Sequence, residues 1–192
     1  MVQTGKRLFK GYEDYTEVHK LTFDIETTSL DPKDGHSFMV GIKDNRGFKK
    51  LLTAYGDDGE YTEEGEKKMY KEMFEIIHEL EPSVIVGYNS ENFDWNYIFV
   101  RMDSLGMSET TMWGINIMDT YHRVRQAMAL NSSLQNGRLK YIAQEAGLER
   151  PNRVYIEGDK LGKIWKENKD FNYNPTSGQW YALDGVKPKP KE

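Results

Sequence analysis

Asp24 and Glu26 stand two residues apart in Leu21-Thr22-Phe23-Asp24-Ile25-Glu26. Apolar Leu21, Phe23 and Ile25 alternate with Thr22, Asp24 and Glu26, the period of a β-strand, so both carboxylates leave one face with their Cα atoms about 6.8 Å apart. Oxygen ligands spaced in this way can converge on divalent cations about 3.5–4 Å apart. A strand with three apolar residues on its other face is usually central, and two like charges on it repel unless a cation neutralises them. The same residues also fit a solvent-facing acidic strand edge, and spacing alone does not choose between the two.

A second candidate is Asn89-Ser90-Glu91-Asn92-Phe93-Asp94, which follows the short apolar run Val84-Ile85-Val86-Gly87-Tyr88. Such a run reads as a buried strand, and a residue where the next helix begins lies where open α/β sheets bind ligands. Asp94 can therefore reach the same cations, or it can serve as an ordinary helix N-cap. His19, His36 and His78 have no carboxylate or histidine partner at metal-ligand spacing and read as structural or surface residues. With no cysteine in the chain, a disulfide framework, a thiolate metal site and a Cys nucleophile are excluded, leaving oxygen or imidazole ligands.

The elements that must position these groups are legible in outline. Residues 1–17 read as an extended polar lead-in. After the Asp24 strand, the cluster Asp31-Pro32-Lys33-Asp34-Gly35 marks a turn, and Phe38–Ile42 and Phe48–Leu52 form two strands joined at Asp44-Asn45-Arg46-Gly47. Thr62 caps a helix with Glu63 and Glu64 in its first turn and Met69, Met73, Ile76 and Leu80 on its apolar stripe, stopping near Glu81-Pro82. The strand at Val84–Tyr88 then runs parallel to the first after a helical crossover. A helix from about Asp94 carries Tyr97, Ile98 and Leu105. Ile115–Met118 is a strand, Asp119 caps a helix to about Met128, and Leu139, Ile142, Ala143 and Ala146 define another helix closed by Gly147. Leu161, Ile164 and Trp165 suggest one more helix. Phe171–Tyr173 and Gln179–Tyr181 read as an exposed hairpin, followed by a Lys/Pro tail. The fold class is α/β, a mixed sheet with an antiparallel hairpin after the first strand and helices around it.

The chain has 192 residues, 38% of them hydrophobic, enough for one domain, and its longest apolar runs are far short of the roughly 20 residues that cross a bilayer. The N-terminus lacks the apolar core of a signal peptide, so a soluble intracellular protein is expected. Charge is uneven: residues 1–119 hold 13 Lys and Arg against 23 Asp and Glu, whereas residues 120–192 hold 13 against 8. An acidic half can hold cations and a basic half can track phosphates, although two solvated surfaces account for the same numbers.

Thr22-Phe23-Asp24-Ile25-Glu26-Thr27-Thr28-Ser29-Leu30 resembles the first motif of the DEDD-type 3′–5′ exonucleases, and Gly87-Tyr88-Asn89 through Phe93-Asp94 resembles the second, in the form used by family B DNA polymerases. Arg7–Tyr15 and Gly41–Phe48 resemble the proofreading domains of large-bacteriophage polymerases of that family. The resemblance implies an RNase H-like fold over residues 18–170 and two-metal hydrolysis with Mg²⁺ or Mn²⁺. Asp24 would bridge both ions, Glu26 would hold the one that activates water, and Asp94 would support the second. Thr27, Thr28 and Leu30 would line the pocket of the terminal nucleotide, with Asn89 and Phe93 fixing its sugar and strand path. Implied partners are the 3′ end of single-stranded DNA and the remainder of a polymerase chain, in the cytoplasm of an infected host cell, with no membrane. Arg123, Arg125, Arg138, Lys140, Arg150 and Arg153, with Lys160, Lys163 and Lys166 on one predicted helix, would meet DNA phosphates, although a solvated helix face accounts better for the lysines.

The family's third motif, a tyrosine and an aspartate four residues later on a late helix, has no good match. Tyr155 and Asp159 have the spacing but fall on a loop; Tyr181 and Asp184 are one residue short and fall on the hairpin. The histidine variant fails because Ala127 lies five residues after His122. The motif is therefore expected beyond Glu192, in a chain truncated at both ends and weak or inactive by itself. The alternative is a catalytically incomplete module that holds DNA or serves a structural role, and a stand-alone nuclease of the same type is a third possibility.

Overall fold

A computed structural model describes residues 14–56, 60–108 and 115–148, together with the backbone of 171–174 and 179–182. The chain divides into two compact units, residues 1–154 and 155–192.

In the first unit the central strand is β1 (Lys20–Thr27), built from the alternating segment that carries Asp24 and Glu26. It pairs antiparallel with β2 (Ser37–Asp44), which pairs antiparallel with β3 (Lys49–Thr53). On its other side β1 runs parallel to β4 (Val84–Gly87), which runs parallel to β5 (Asn116–Asp119). The result is a five-stranded mixed sheet in the order β3-β2-β1-β4-β5. Its register places Phe23 opposite Ile42, Asp24 opposite Gly41 and Ile25 opposite Val40, and slips between Glu26 and Thr27.

Leu21, Phe23 and Ile25 join Val40 and Ile42 in one buried cluster with Met69, Tyr70, Met73, Phe74 and Ile77 of α1 (Glu63–Leu80) and Trp95, Ile98 and Met102 of α2 (Asp94–Ser104). Each such side chain contributes about 1.5–3 kcal/mol when fully buried, so the apolar half of β1 decides which way its carboxylates face. Helix α1 starts where Thr62 Oγ1 accepts from the Gly65 N–H at 2.9 Å, and it ends at Glu81, whose φ is 44°. Pro82 follows and disfavours helical backbone at the residue before it.

Helices α1 and α2 are bolted together by Glu66, which is fully buried. Its carboxylate accepts from Arg101 Nε at 3.2 Å and Nη2 at 2.7 Å, from Tyr61 and Tyr70 hydroxyls at 2.7 and 3.2 Å, and from the Ser37 N–H at 2.9 Å. His19 forms a second buried pair, its Nε2 lying 2.9 Å from Asp44 Oδ2 at the far end of β2.

Downstream, α3 (Thr120–Leu130) and α4 (Leu139–Glu145) bury none of their described side chains. In the second unit β6 (Phe171–Asn174) pairs antiparallel with β7 (Gln179–Ala182), the expected hairpin.

Two expectations need correction. The lead-in is not extended throughout, because Tyr15–Glu17 forms a one-turn 3₁₀ helix capped by Asp14, whose Oδ1 accepts from the Thr16 N–H at 2.7 Å. Asp94 is not an N-cap. Phe93 holds that place without a side-chain hydrogen bond, and Asp94 is the first helical residue, its carboxylate accepting from its own N–H and from the Ile25 N–H. The helix expected on Leu161, Ile164 and Trp165, the basic residues Arg150, Arg153, Lys160, Lys163 and Lys166, and the candidates Tyr155, Asp159 and Asp184 lie outside the described residues, as does the Lys/Pro tail. Among the described residues no helix is long and apolar enough to cross a membrane.

Candidate active site

β1 and β4 run parallel, paired at Lys20–Val84 and Leu21–Ile85, so β4 ends level with Phe23, next to Asp24. Asp24 and Glu26 sit near the end of β1, and Asp94 opens the helix that follows β4 after a short loop. Opposite Asp24 on β2 is Gly41, where an added Cβ would meet only a Leu51 methyl at 3.9 Å, so the strand beside Asp24 presents no bulk.

The charges of Asp24 and Asp94 act on Glu26, and that of Asp24 on Asp94. Asp24 keeps access to solvent, yet the protein around it raises its pKa above the usual carboxylate range through desolvation, against a hydrogen bond from the Ile25 N–H. Glu26 is pushed up to about 7 by desolvation first, then by the charges of Asp24 and Asp94. Asp94, buried, is also pushed up to about 7, by desolvation, then by Asp24, with Asp119 adding to it. Every influence on Glu26 raises it, and no cationic side chain is among them. Such mutual destabilisation of ionised carboxylates at one place marks a functional site more often than a structural one.

In kind, this donor set fits a hard divalent cation, which takes oxygen ligands and would remove the repulsion. The set is not closed: among the described residues no three His, Cys, Asp or Glu side chains are gathered at metal-holding separation.

The other expected residues divide. Thr28 Oγ1 accepts from the His36 N–H at 3.0 Å, and the Thr28 N–H donates to the His36 carbonyl at 3.0 Å, so this threonine closes the loop after β1. Thr27 is half-buried at the end of β1, and Leu30 on the same loop is 83% exposed. Asn89 adopts φ 60°, a left-handed conformation in which Asn is enriched, and its Oδ1 accepts from Asn92 Nδ2 at 3.1 Å. Phe93 packs against Tyr97, ring centroids 5.7 Å apart, at the margin of the core. Gly87 is required by the tight turn: a Cβ there would lie 2.0 Å from Ser90 Oγ. Residues the sequence did not single out as site residues also bear on it. Asp119 was read only as a cap, and Glu91 pairs with His122 of α3 at 3.2 Å.

The family model for the RNase H superfamily matches residues 21–177. DNA polymerase 1 of Pyrococcus abyssi is 31% identical over 112 residues, 56% of this chain and 14% of that protein. A DNA polymerase of Desulfurococcus sp. (strain Tok) is 33% identical over 96 residues, 47% of this chain and 12% of that protein. The solved family B DNA polymerase of the hyperthermophilic archaeon Pyrobaculum calidifontis superposes with a TM-score of 0.61 at 27% identity, covering 77% of this chain and 21% of its own. The chain thus spans a small fraction of the length of the relatives it matches. Its mixed sheet, the paired carboxylates on the central strand and these likenesses agree: the chain belongs to the RNase H superfamily and is similar to a part of family B DNA polymerases.

Proposed function

We propose that this domain removes nucleotides from the 3′ end of single-stranded DNA as the proofreading part of a DNA polymerase, with two Mg²⁺ or Mn²⁺ ions held by Asp24, Glu26 and Asp94. The observation that carries the reading is the placing of Asp94, which opens the helix after β4, near Asp24 and Glu26 on the parallel neighbour β1, where burial and the charges of Asp24 and Asp94 oppose ionisation. When bound, such ions supply an activated water and stabilise charge on the departing oxygen. Asp24 would contribute to holding both ions, Glu26 the one that activates water and Asp94 the other. Leu30 offers an apolar surface to a terminal base, Thr27 and Thr28 shape the loop beneath it, and Asn89 and Phe93 line the strand path. Arg123, Arg125, Arg138 and Lys140, all exposed on or next to α3 and α4, give phosphates a sequence-independent hold. The remainder of the polymerase is the partner, the cytoplasm of an infected cell the setting, and the bacteriophage likeness of the flanking residues belongs to this proposal.

One observation favours a second reading, a module that holds DNA without cutting it: the described residues do not gather a closed set of three ligands. Calorimetric titration with Mn²⁺ and shortening of a 5′-labelled single strand separate the two. The chain is expected to bind Mn²⁺, Asp24→Ala to abolish binding, and Asp94→Ala to weaken the second ion more than the first. Product ladders shortened from the 3′ end, lost by about 10²-fold or more in Asp24→Ala, are expected if the site is complete. Equal Mn²⁺ affinity in wild type and Asp24→Ala overturns the assignment.

A further inference from the structure

Asp119 ends β5 and caps α3, a local role that any Ser, Thr or Asn could fill. Its carboxylate does more. Oδ1 accepts from the Tyr121 N–H at 2.9 Å, which is the cap, and from the Asn89 N–H at 2.7 Å; Oδ2 accepts from the Glu91 N–H at 3.1 Å. Both loop partners belong to the β4–α2 connection, 30 and 28 residues upstream.

The same loop residues hold the neighbours of Asp94. The Phe93 N–H donates to the Asn89 carbonyl at 3.1 Å, and the Trp95 N–H donates to the Ser90 carbonyl at 2.9 Å. The start of the loop is tied as well, since Thr120 Oγ1 donates to the Gly87 carbonyl at 2.7 Å. Residues 93 and 95 therefore hang from the segment that Asp119 grips, and Asn89 is kept at φ 60° within it. Asp119 is buried and both its oxygens are taken by backbone N–H groups, so it is not offered to a cation. A buried charge is costly for a helix cap alone, and its hydrogen bonds are spent on the loop.

We propose that Asp119 is the positioning residue of Asp94, fixing that carboxylate against Asp24 through the Asn89–Glu91 loop; this rests on the metal-binding reading above. Asp119→Ser separates its two duties, because a serine hydroxyl caps α3 but is too short to reach Asn89 and Glu91. Asp119→Asn is the milder change, turning an N–H toward the Glu91 N–H. In Asp119→Ser, hydrogen exchange of amides 89–95 is expected to quicken about tenfold with α1 amides unchanged. The dissociation constant for the Mn²⁺ held by Asp94 is expected to rise about 10–100-fold, the range for residues that orient a metal ligand. Adding Asp119→Ser to Asp94→Ala is expected to cost nothing more, since both act on one ligand.

Val84→Ala, which weakens the neighbouring strand without touching the loop, is the control for a merely structural effect. Equal loss of Mn²⁺ affinity in Val84→Ala at the same thermal midpoint overturns the proposal, as does unchanged affinity in Asp119→Ser with wild type still binding. Asp119→Asn carries the same comparison if Asp119→Ser loses its fold. A wild-type chain that binds no Mn²⁺ overturns the metal reading, and this proposal with it.

Discussion

Phe23 of β1 and Trp95 of α2 meet edge to face with ring centroids 4.6 Å apart, and each is the chain neighbour of a site carboxylate, Asp24 and Asp94. The contact ties strand to helix directly behind the acidic cluster, so core packing and site geometry are one feature.

Removing that ring opens a cavity at this joint. Trp95→Ala is expected to destabilise the chain by about 3–5 kcal/mol and to weaken Mn²⁺ binding as well. Trp95→Phe keeps the edge contact and eliminates an indole N–H that has no partner among the described residues, so it is expected to stay within about 1.5 kcal/mol of wild type. Urea denaturation of both variants checks this, and a loss in Trp95→Phe equal to that in Trp95→Ala would contradict it.

Glu66 and Arg101 join α1 to α2. Arg101 is 12% exposed and Glu66 fully buried, so Glu66→Gln leaves a largely buried guanidinium without its counter-charge. The expected cost is about 3–5 kcal/mol, and Glu66→Gln combined with Arg101→Met is expected to recover part of it. A double-mutant cycle measures the coupling.

Glu26 titrates near 7 in the folded chain, against an ordinary value of 4.5. Between those values the native state holds a proton that the unfolded chain has released, so this group's contribution to stability falls as pH rises through that window. Glu26→Gln is therefore expected to stabilise the metal-free chain at pH 8 by about 1 kcal/mol, discounted for partial exposure, and to have no such effect at pH 4. Thermal unfolding at the two pH values shows the difference, and Mg²⁺ is expected to stabilise wild type at pH 8 more than the variant.

The fourth carboxylate of the family's site has two candidates here, Asp159 and Asp184. If the chain shortens single strands, Asp159→Ala and Asp184→Ala assayed side by side identify it: one is expected to lose about 10²-fold or more, the other little. Loss in neither places the ligand elsewhere.

Local period made much of this legible. Alternation in Leu21–Glu26 is a property of adjacent residues, so β1, its buried side and the shared face of Asp24 and Glu26 followed from sequence. The same holds for α1, whose cap Thr62, stripe Met69, Met73 and Ile76, and stop at Pro82 are all read within one helix. Even the burial of Glu66 is legible there, since it lies three and four residues before Met69 and Tyr70 on the apolar stripe.

What only the tertiary structure decided is which of these local features touch. In sequence Asp94 reads as a cap or a ligand; the parallel pairing of β1 and β4 brings it near Asp24, and Phe93 takes the cap position. Asp119 had one local partner in sequence, Tyr121, and gained Asn89 and Glu91 only when β5 settled beside β4. The raised pKa values have the same origin. Composition fixes how many carboxylates there are, but desolvation and like-charge repulsion depend on what surrounds each one, and here the surroundings come from strands and helices far apart in the chain.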